Sequence, residues 1–327
     1  MGFSHIKKLR QPDSIRPQFA ANVRKPPAEP NASYRIVVGI PTVGRAGILE
    51  STVKAITNQT YMPDLVLISV ADQQDAVGLD KLSLPFPVRI LIGKKGLTVQ
   101  RNRIIDELHQ ADLILFLDDD FLMAPDYIEQ MVNVFENHPS IVLATGKVLA
   151  DGIKGPGYDH ATGLIKLAEG LTVPVDLTLE SAHTGYGCNT AIRANTILKH
   201  KLRYDEALPL YGWLEDVDFS NRLAPYGRFV CPGGMRGVHL GTKTGRTPGR
   251  YLGYSQIANP IYLVRKGTIS RKRARDLMLR NIASNLRGTL LPRPWADYRG
   301  RLWGNLTAIW EVLCRRDRPD RILDLKP

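Results

Sequence analysis

Between residues 34 and 149, short runs rich in β-branched residues alternate with longer segments whose apolar residues have helical spacing. The runs predict strands at 34–40, 65–70, 88–92, 113–117 and 141–149, and the segments between them predict helices at 47–59, 97–110 and 125–137. Strands that alternate with helices form βαβ units, so the strands lie parallel and helices cover both faces of the sheet. This alternation predicts an α/β fold with a mostly parallel, twisted sheet.

Composition divides the rest of the chain. Residues 1–33 are polar and proline-rich, which predicts a flexible lead-in. At residue 34 the texture changes abruptly to that of a folded domain, and 150–182 is glycine-rich enough to predict an irregular loop. Residues 267–327 predict a basic helical extension.

The charge of +12 is uneven along the chain. Residues 265–327 have a net charge of +10 and residues 1–33 of +4, whereas residues 34–264 have −2. Basic flanks suit an anionic partner, either a membrane surface or a nucleic acid. The core lacks interleaved aromatic and basic strands, which argues against nucleic acid. Three scattered cysteines and an N-terminus without an apolar leader favour a reducing, cytoplasmic compartment.

The strongest chemical motif is the run Asp118, Asp119 and Asp120, which follows the predicted strand 113–117. Three adjacent carboxylates beside apolar residues need a counter-charge. Mg²⁺ and Mn²⁺ prefer oxygen ligands and often bridge carboxylates to substrate phosphates. In an extended chain Asp118 and Asp120 share one face, and Asp119 points elsewhere. The alternative is a solvated acidic turn.

Glu215 and Asp216 stand beside Trp213 at the start of a predicted helix. Acidic residues in a first helical turn have an ordinary explanation in the helix dipole. An acid beside an aromatic residue also suits a general base at a pocket wall, where partial burial raises its pKa. The residues alone leave both readings open.

Two further groups could meet phosphates. Gly96 and Arg101 lie at and near the start of the helix predicted over 97–110, where cations and free N–H groups suit a diphosphate. The alternative is a basic surface helix. His239, followed by Lys243 and Arg246, could bind a metal or contact phosphate, although a lone histidine is more often structural.

In this order, the motifs resemble those of inverting glycosyltransferases of family 2, which have the GT-A fold and here resemble the bacterial polysaccharide type. The resemblance covers about 34–266 and rests on the following residues: Ile40 to Thr42 with Arg45, Asp72, Gly96, Arg101 with Asn102, Asp118 to Asp120, Gly187 with Asn189, Glu215 with Asp216, and 259–266. It implies that 34–149 binds the nucleotide-sugar and that 150–266 binds the acceptor. The sequence Ala71 to Asp75 departs from the usual second-strand motif of the family.

The resemblance also implies a role for each residue that matches. Asp216 would be the catalytic base, Asp120 and His239 would bind the metal, and Asn189, Trp213 and Glu215 would line the acceptor or sugar pocket. The implied contacts to the nucleotide-sugar come from Pro41, Thr42, Arg45, Asp72, Gly96, Arg101, Asp118 and Asp119. Asp119 has no more definite role than this.

The implied function is metal-dependent, inverting transfer of a sugar from a UDP, GDP or TDP sugar to a hydroxyl of a glycan or lipid-linked acceptor, in polysaccharide biosynthesis. Mn²⁺ or Mg²⁺ is the implied cofactor. The sequence contains no P-loop, dinucleotide-binding glycine motif or nucleophile elbow. The alternatives are a nucleotidyltransferase acting on a sugar phosphate, which should have a glycine-rich basic loop after its first strand, and a non-catalytic basic binding protein.

The tail contains three of the four tryptophans. Within residues 295–316, Trp and Leu side chains repeat on one helical face, with arginines around it. Such a helix either lies on the inner face of an anionic membrane or packs on the main domain or on a second subunit. Because Trp and Leu also fill ordinary cores, packing is slightly favoured.

Overall fold

The computed structural model describes residues 34–245 and 247–325, so the predictions for the lead-in at 1–33 and for Arg246 lie outside the described residues. The strands are β1 Ile36–Pro41, β2 Leu65–Val70, β3 Val88–Ile92, β4 Leu113–Leu117, β5 Phe121–Met123, β6 Ile141–Thr145, β7 Lys147–Asp151, β8 Leu179–Ser181, β9 Asn189–Arg193, β10 Arg228–Pro232 and β11 Arg236–His239. The helices are α1 Ala46–Ile56, α2 Leu97–Ile105, α3 Tyr127–Asn137, α4 His160–Leu171, α5 Ala194–Lys199, α6 Glu215–Leu223, α7 Gly249–Lys266, α8 Arg271–Leu290 and α9 Tyr298–Leu313.

The larger sheet has eight strands in the order β3-β2-β1-β4-β9-β6-β10-β8. β1 pairs in parallel with β2 and β4, and β9 runs antiparallel between β4 and β6. The residues that follow β1, β2 and β4 therefore lie at one edge, and the segment that leads into β9 joins them there. Both faces of the sheet are apolar and covered by helices, with α1 and α3 on one side and α2, α5 and α6 on the other. The predicted α/β class is confirmed.

The smaller sheet has the order β5-β11-β7 and explains the position of the histidine. His239, the last residue of β11, lies opposite Phe121 on one neighbour and Asp151 on the other. Phe121 follows the aspartate run directly. The pairing of three short strands therefore carries His239 to Asp120 and Asp151, which are far from it in sequence.

Four predicted strands agree with the structure to within two residues, and the other prediction needs a correction. The run 141–149 is two strands, β6 and β7, which belong to different sheets. Gly146 separates them, and a side chain there would collide with the Tyr127 ring. The helix predicted over 97–110 ends at Ile105.

The prediction of an irregular loop at 150–182 is wrong, because it contains the twelve-residue helix α4. Asp159 caps its N-terminus by accepting a hydrogen bond from the Thr162 amide at 2.7 Å. Gly163 and Leu167 face the smaller sheet, where a side chain at position 163 would meet Leu122 and Leu240. The close contact requires a glycine at position 163, and glycine is not typical of helices, so the sequence pattern does not indicate a helix here.

The predicted helical extension consists of α8 and α9, which pack on α7. Gly253 of α7 and Gly304 of α9 allow the two backbones to approach closely, since a Cβ at either position would strike the other helix. A buried amide network ties in α8: the Asn285 Nδ2 donates to Asn305 Oδ1 at 2.8 Å and to Gln256 Oε1 at 2.7 Å. Among the described residues, helices that are long and apolar enough to cross a membrane are absent.

Candidate active site

The aspartate run begins where β4 ends and the chain turns, with the Asp118 amide donating to the Cys188 carbonyl at 3.0 Å. The three side chains diverge as the sequence predicts. Asp118 is partly exposed at the sheet edge, whereas Asp119 and Asp120 are buried. Asp118 and Asp120 face His239, and Asp119 points in another direction.

Asp118, Asp120 and His239 each offer one ligand atom, and these atoms lie within 4.8 Å of one another. Two carboxylate oxygens and one imidazole nitrogen form a donor set that suits Mn²⁺ or Mg²⁺. The cluster can therefore hold a divalent metal. Asp118, which the motifs linked to the substrate, also becomes a candidate ligand.

A second layer of residues orients this cluster. Asp151 Oδ1 lies 2.9 Å from His239 Nδ1, and its other oxygen accepts a hydrogen bond from the Tyr186 hydroxyl at 2.8 Å. When Nδ1 donates its proton to Asp151, Nε2 presents a lone pair to a metal, as is usual for metal-binding histidines. The Thr242 amide donates to Asp120 Oδ2 at 2.8 Å. Asp151 is not among the residues predicted from the sequence, although it follows an apolar run as Asp118 does.

The electrostatics of the cluster show what a cation would replace. Burial raises the pKa of Asp120, but the hydrogen bond and charge of His239, together with Arg45, outweigh it and lower that pKa to about 2. Burial lowers the pKa of His239, but hydrogen bonds with Asp120 and Asp151 raise it to about 10. The protonated imidazole thus neutralises the carboxylates, and a metal ion would take over that role as the proton leaves.

Asp119 joins the aspartate run to the loop after β1. Its Oδ2 accepts a hydrogen bond from the Thr42 hydroxyl at 2.5 Å, and its Oδ1 lies 2.8 Å from Arg45 Nη1. The Thr52 hydroxyl donates to the Asp119 carbonyl at 2.5 Å. These contacts show that the buried Asp119 side chain holds the loop in place, and its predicted contact with the nucleotide-sugar stays a prediction.

The loop after β1 places Arg45 at the site. Pro41 ends β1 and is buried, as is Thr42. Arg45 Nε donates to the Thr244 carbonyl at 2.8 Å, which connects this loop with the one that follows β11. Its guanidinium remains partly exposed and 3.8 Å from Asp120 Oδ2. Arg45 is thus a cation at the edge of the metal cluster, where a diphosphate would need one.

Asp72 is exposed after β2, where it caps a short helical turn by accepting from the Gln74 amide at 2.9 Å. The neighbouring Asp75, which the motifs did not indicate, is buried and accepts from the Gly44 amide at 2.6 Å. Gly96 precedes α2 with a φ of +141°, a conformation that favours glycine. The predicted nucleotide contacts of Asp72 and Gly96 stay predictions.

Arg101 connects the two acidic motifs. Its Nη1 lies 2.5 Å from Glu215 Oε1, its Nη2 donates to the Gly187 carbonyl at 2.7 Å, and Asp118 Oδ1 is 3.5 Å from Nη2. Burial lowers the pKa of Arg101, but the charge of Glu215 outweighs it, so the guanidinium stays charged. Arg101 is only 1% exposed, so its visible contacts are internal, and its predicted contact with the nucleotide-sugar stays a prediction.

Asp216, next to this ion pair, stays partly exposed. Its Oδ1 accepts from the Val217 amide at 2.8 Å, and a Cβ on Gly187 would lie 3.8 Å from its Oδ2. Burial raises the pKa of Asp216 above its ordinary value, with Arg101 opposing the shift. A carboxylate with a raised pKa and an accessible oxygen is suited to accept a proton.

Two predicted pocket residues differ in accessibility. Asn189 is fully buried, where its Oδ1 accepts from the Gly146 amide at 3.0 Å and from Thr145 at 3.1 Å. Its side chain therefore joins β9 to the turn after β6, and its predicted contact with the acceptor stays a prediction. Trp213 is partly exposed, and its carbonyl accepts from Asn259 of α7 at 2.8 Å. Its predicted place in the pocket stays a prediction.

Comparisons with known proteins identify the family that this chain resembles and the fold that it shares. The family model described as glycosyl transferase family 2 matches residues 37–196. Glucosyl-dolichyl phosphate glucuronosyltransferase from Haloferax volcanii is 29% identical over 127 residues, which cover 36% of this chain and 39% of that protein. This chain thus matches less than half of the length of that relative.

Two solved structures show similar folds. The mannosyltransferase PcManGT from Pyrobaculum calidifontis, in complex with GDP-Man and Mn²⁺, superposes with a TM-score of 0.54 at 12% identity, over 86% of this chain and 88% of its own. GalNAc-T7 with UDP, GalNAc and Mn²⁺ also gives 0.54, at 14% identity, over 89% of this chain and 57% of its own. At these identities the likeness extends to the fold alone.

Proposed function

We propose that this chain, which belongs to glycosyl transferase family 2, transfers a sugar from a nucleoside-diphosphate sugar to an acceptor hydroxyl with inversion at the anomeric carbon. The membership confirms the resemblance inferred from the motifs. The proposed acceptor is a glycan or a lipid-linked glycan in polysaccharide biosynthesis.

The observation that carries the proposal is the Arg101 bridge between the aspartate run and α6. The Arg101 guanidinium contacts both Asp118, which belongs to the metal cluster, and Glu215, which is next to the proposed base. A transferase needs positive charge at the leaving diphosphate and a base at the acceptor, close together. The proposed metal cluster and the proposed base lie at one edge of the sheet, which supports the proposal.

The proposed division of labour follows from these positions. Asp118, Asp120 and His239 would hold a divalent metal, which supplies positive charge to the leaving diphosphate. Arg45 adds a second cation at the same place. Asp216 takes the proton from the acceptor hydroxyl while the hydroxyl oxygen attacks the anomeric carbon. The bond between the anomeric carbon and the diphosphate breaks at the same time. Mn²⁺ is the proposed ion, since both similar structures above contain it.

A thermal-shift screen of UDP, GDP, TDP and CDP with Mn²⁺ tests the donor site. We expect one nucleotide to raise the melting temperature only when the metal is present, because the diphosphate and the carboxylates share the ion. At a ligand concentration of about 100 times Kd the stabilisation should be about 2.7 kcal/mol. The Asp120→Asn variant should lose the metal-dependent part of the shift.

The matched control for this screen is Asp80→Asn, which alters an exposed aspartate outside the site. It should behave like the unmodified protein. If all four nucleotides leave the melting temperature unchanged with and without Mn²⁺, the proposed donor site is wrong.

The dependence of the rate on pH tests the base. Asp216 must be ionised to accept a proton, so activity is present above its pKa and is lost as the pH falls through it. Because burial raises this pKa in the free protein, the acidic limb of kcat/KM, which reports the free enzyme, should lie above the ordinary aspartate value of 3.8. The dependence of kcat/KM on pH provides the measurement. A rate that stays constant down to pH 3.8 would contradict the assignment.

A further inference from the structure

We propose that the outer faces of α8 and α9 together form a docking surface for an anionic lipid bilayer. The proposal goes beyond sugar transfer and rests on residues outside the active site. For brevity this surface is called the α8–α9 face, and its apolar members are Leu279, Leu286, Leu290, Trp303, Leu306, Trp310 and Leu313.

The first observation is the way in which α9 packs. The helix meets α7 through small and polar residues, of which Gly304, Asn305 and Ala308 are buried. Its large apolar residues point the other way: Trp303 is 59% exposed and Trp310 is 66% exposed. The sequence predicted that the Trp and Leu face would cover the main domain if the helix packed. Instead the helix packs and leaves that face open.

The second observation is that α8 adds a parallel row of exposed residues. Leu279, Leu286 and Leu290 are exposed. Their spacings of seven and four residues place them on one side of the helix. α8 runs antiparallel to α9, since Asn285 bonds to Asn305 and Leu279 lines the same groove as Leu313. Leu279 and Leu313, one from each apolar row, therefore line one groove. Monomeric soluble proteins rarely leave large apolar patches open.

Charge identifies the occupant of the α8–α9 face. Arg299 precedes Trp303 by one helical turn and therefore lies on the same side of α9. Lys272 precedes Leu279 by two turns and lies on the same side of α8 as the exposed leucines. Arg280 and Arg287 directly follow Leu279 and Leu286, and both are exposed. The whole segment 265–327 has a net charge of +10. Leucines and tryptophans bordered by basic residues match helices that lie in the interface of an anionic membrane.

The same charges argue against a second copy of this chain as the occupant. A symmetric dimer places the same surface of both subunits in contact. That arrangement would bring Arg280, Arg287 and Arg299 of one copy against the identical row of the other. The like charges would repel each other across an interface from which water must be excluded for the apolar contacts to form.

Sedimentation of the full-length protein with lipid vesicles tests the proposal. We expect binding to vesicles that contain phosphatidylglycerol, little binding to pure phosphatidylcholine, and weaker binding as salt is raised. Fluorescence provides a second readout, because Trp303 and Trp310 should shift to shorter emission wavelengths when they enter the interface. The reversal Arg280→Glu with Arg287→Glu should reduce partitioning by about tenfold or more.

The Trp310→Glu variant tests the apolar row and should also bind vesicles at least about tenfold less tightly. The matched control is Leu177→Glu, which adds the same charge at a position that is 68% exposed and outside the α8–α9 face. Both variants should keep the nucleotide-dependent thermal shift, so a failure of this proposal is distinguishable from a failure of the proposed donor site. Equal binding of Trp310→Glu and Leu177→Glu would overturn the proposal. The proposal would also be overturned if the protein formed a stable dimer that does not bind vesicles and that the Trp310→Glu substitution dissociates.

Discussion

The Asp216→Asn variant should lose sugar transfer, with kcat reduced by about 10³-fold, while metal-dependent nucleotide binding is retained. The amide cannot accept the proton of the acceptor hydroxyl. It nevertheless has the same size as the carboxylate and keeps an oxygen for the Val217 amide, which lies 2.8 Å from Oδ1. The measurement is single-turnover transfer at saturating donor, beside the thermal shift with nucleotide and Mn²⁺.

Two comparisons make the Asp216 result specific. Asp80→Asn removes an equal charge from an exposed position and should leave kcat unchanged. Asp120→Asn should lose both transfer and metal-dependent nucleotide binding, because it alters the cluster itself. If Asp216→Asn turned over within tenfold of the unmodified protein, or lost the nucleotide shift as Asp120→Asn does, the base would have to be another residue.

Sequence reasoning works at this site where a motif stands at the end of a strand. Asp118 is predicted at this edge because an apolar run ends just before it, and parallel strands bring such ends together. The direction of Asp118 and Asp120 followed from local backbone geometry. The role of Asp119 did not, because it depends on Thr42 and Arg45 on another strand and loop.

The remaining differences come from contacts between residues that are far apart in sequence. Asp151 and His239 meet because β7 pairs with β11, and no local pattern encodes that register. Arg101 looks like a surface cation in a helix of mixed composition, yet it is buried by Glu215, 114 positions away. The exposure of the Trp face on α9 likewise depends on the close approach of Gly304 to α7. Helical periodicity shows which residues share a face and does not show which face packs.

Replacement of Arg101 by Met should reduce the free energy of unfolding by about 3–5 kcal/mol, because Glu215 would be left buried without its partner. Glu215→Leu should reduce the free energy of unfolding by a similar amount, because it leaves the Arg101 guanidinium, which is 1% exposed, buried without its partner. The double variant Arg101→Met with Glu215→Leu replaces the pair by apolar side chains. Its loss should be smaller than the sum of the single losses by about 2 kcal/mol or more.

Urea unfolding of the four proteins measures this coupling between Arg101 and Glu215 directly. Stability alone would also recover if the pair were merely structural, so kcat must be followed in the same variants. We expect the double variant to regain stability without regaining transfer, because Arg101 also contacts Asp118 and the Gly187 carbonyl, which lie at the metal cluster and beside Asp216. Additive losses of stability would show that the ion pair is uncoupled. Recovery of kcat together with stability would show that Arg101 does not position the acidic residues for catalysis.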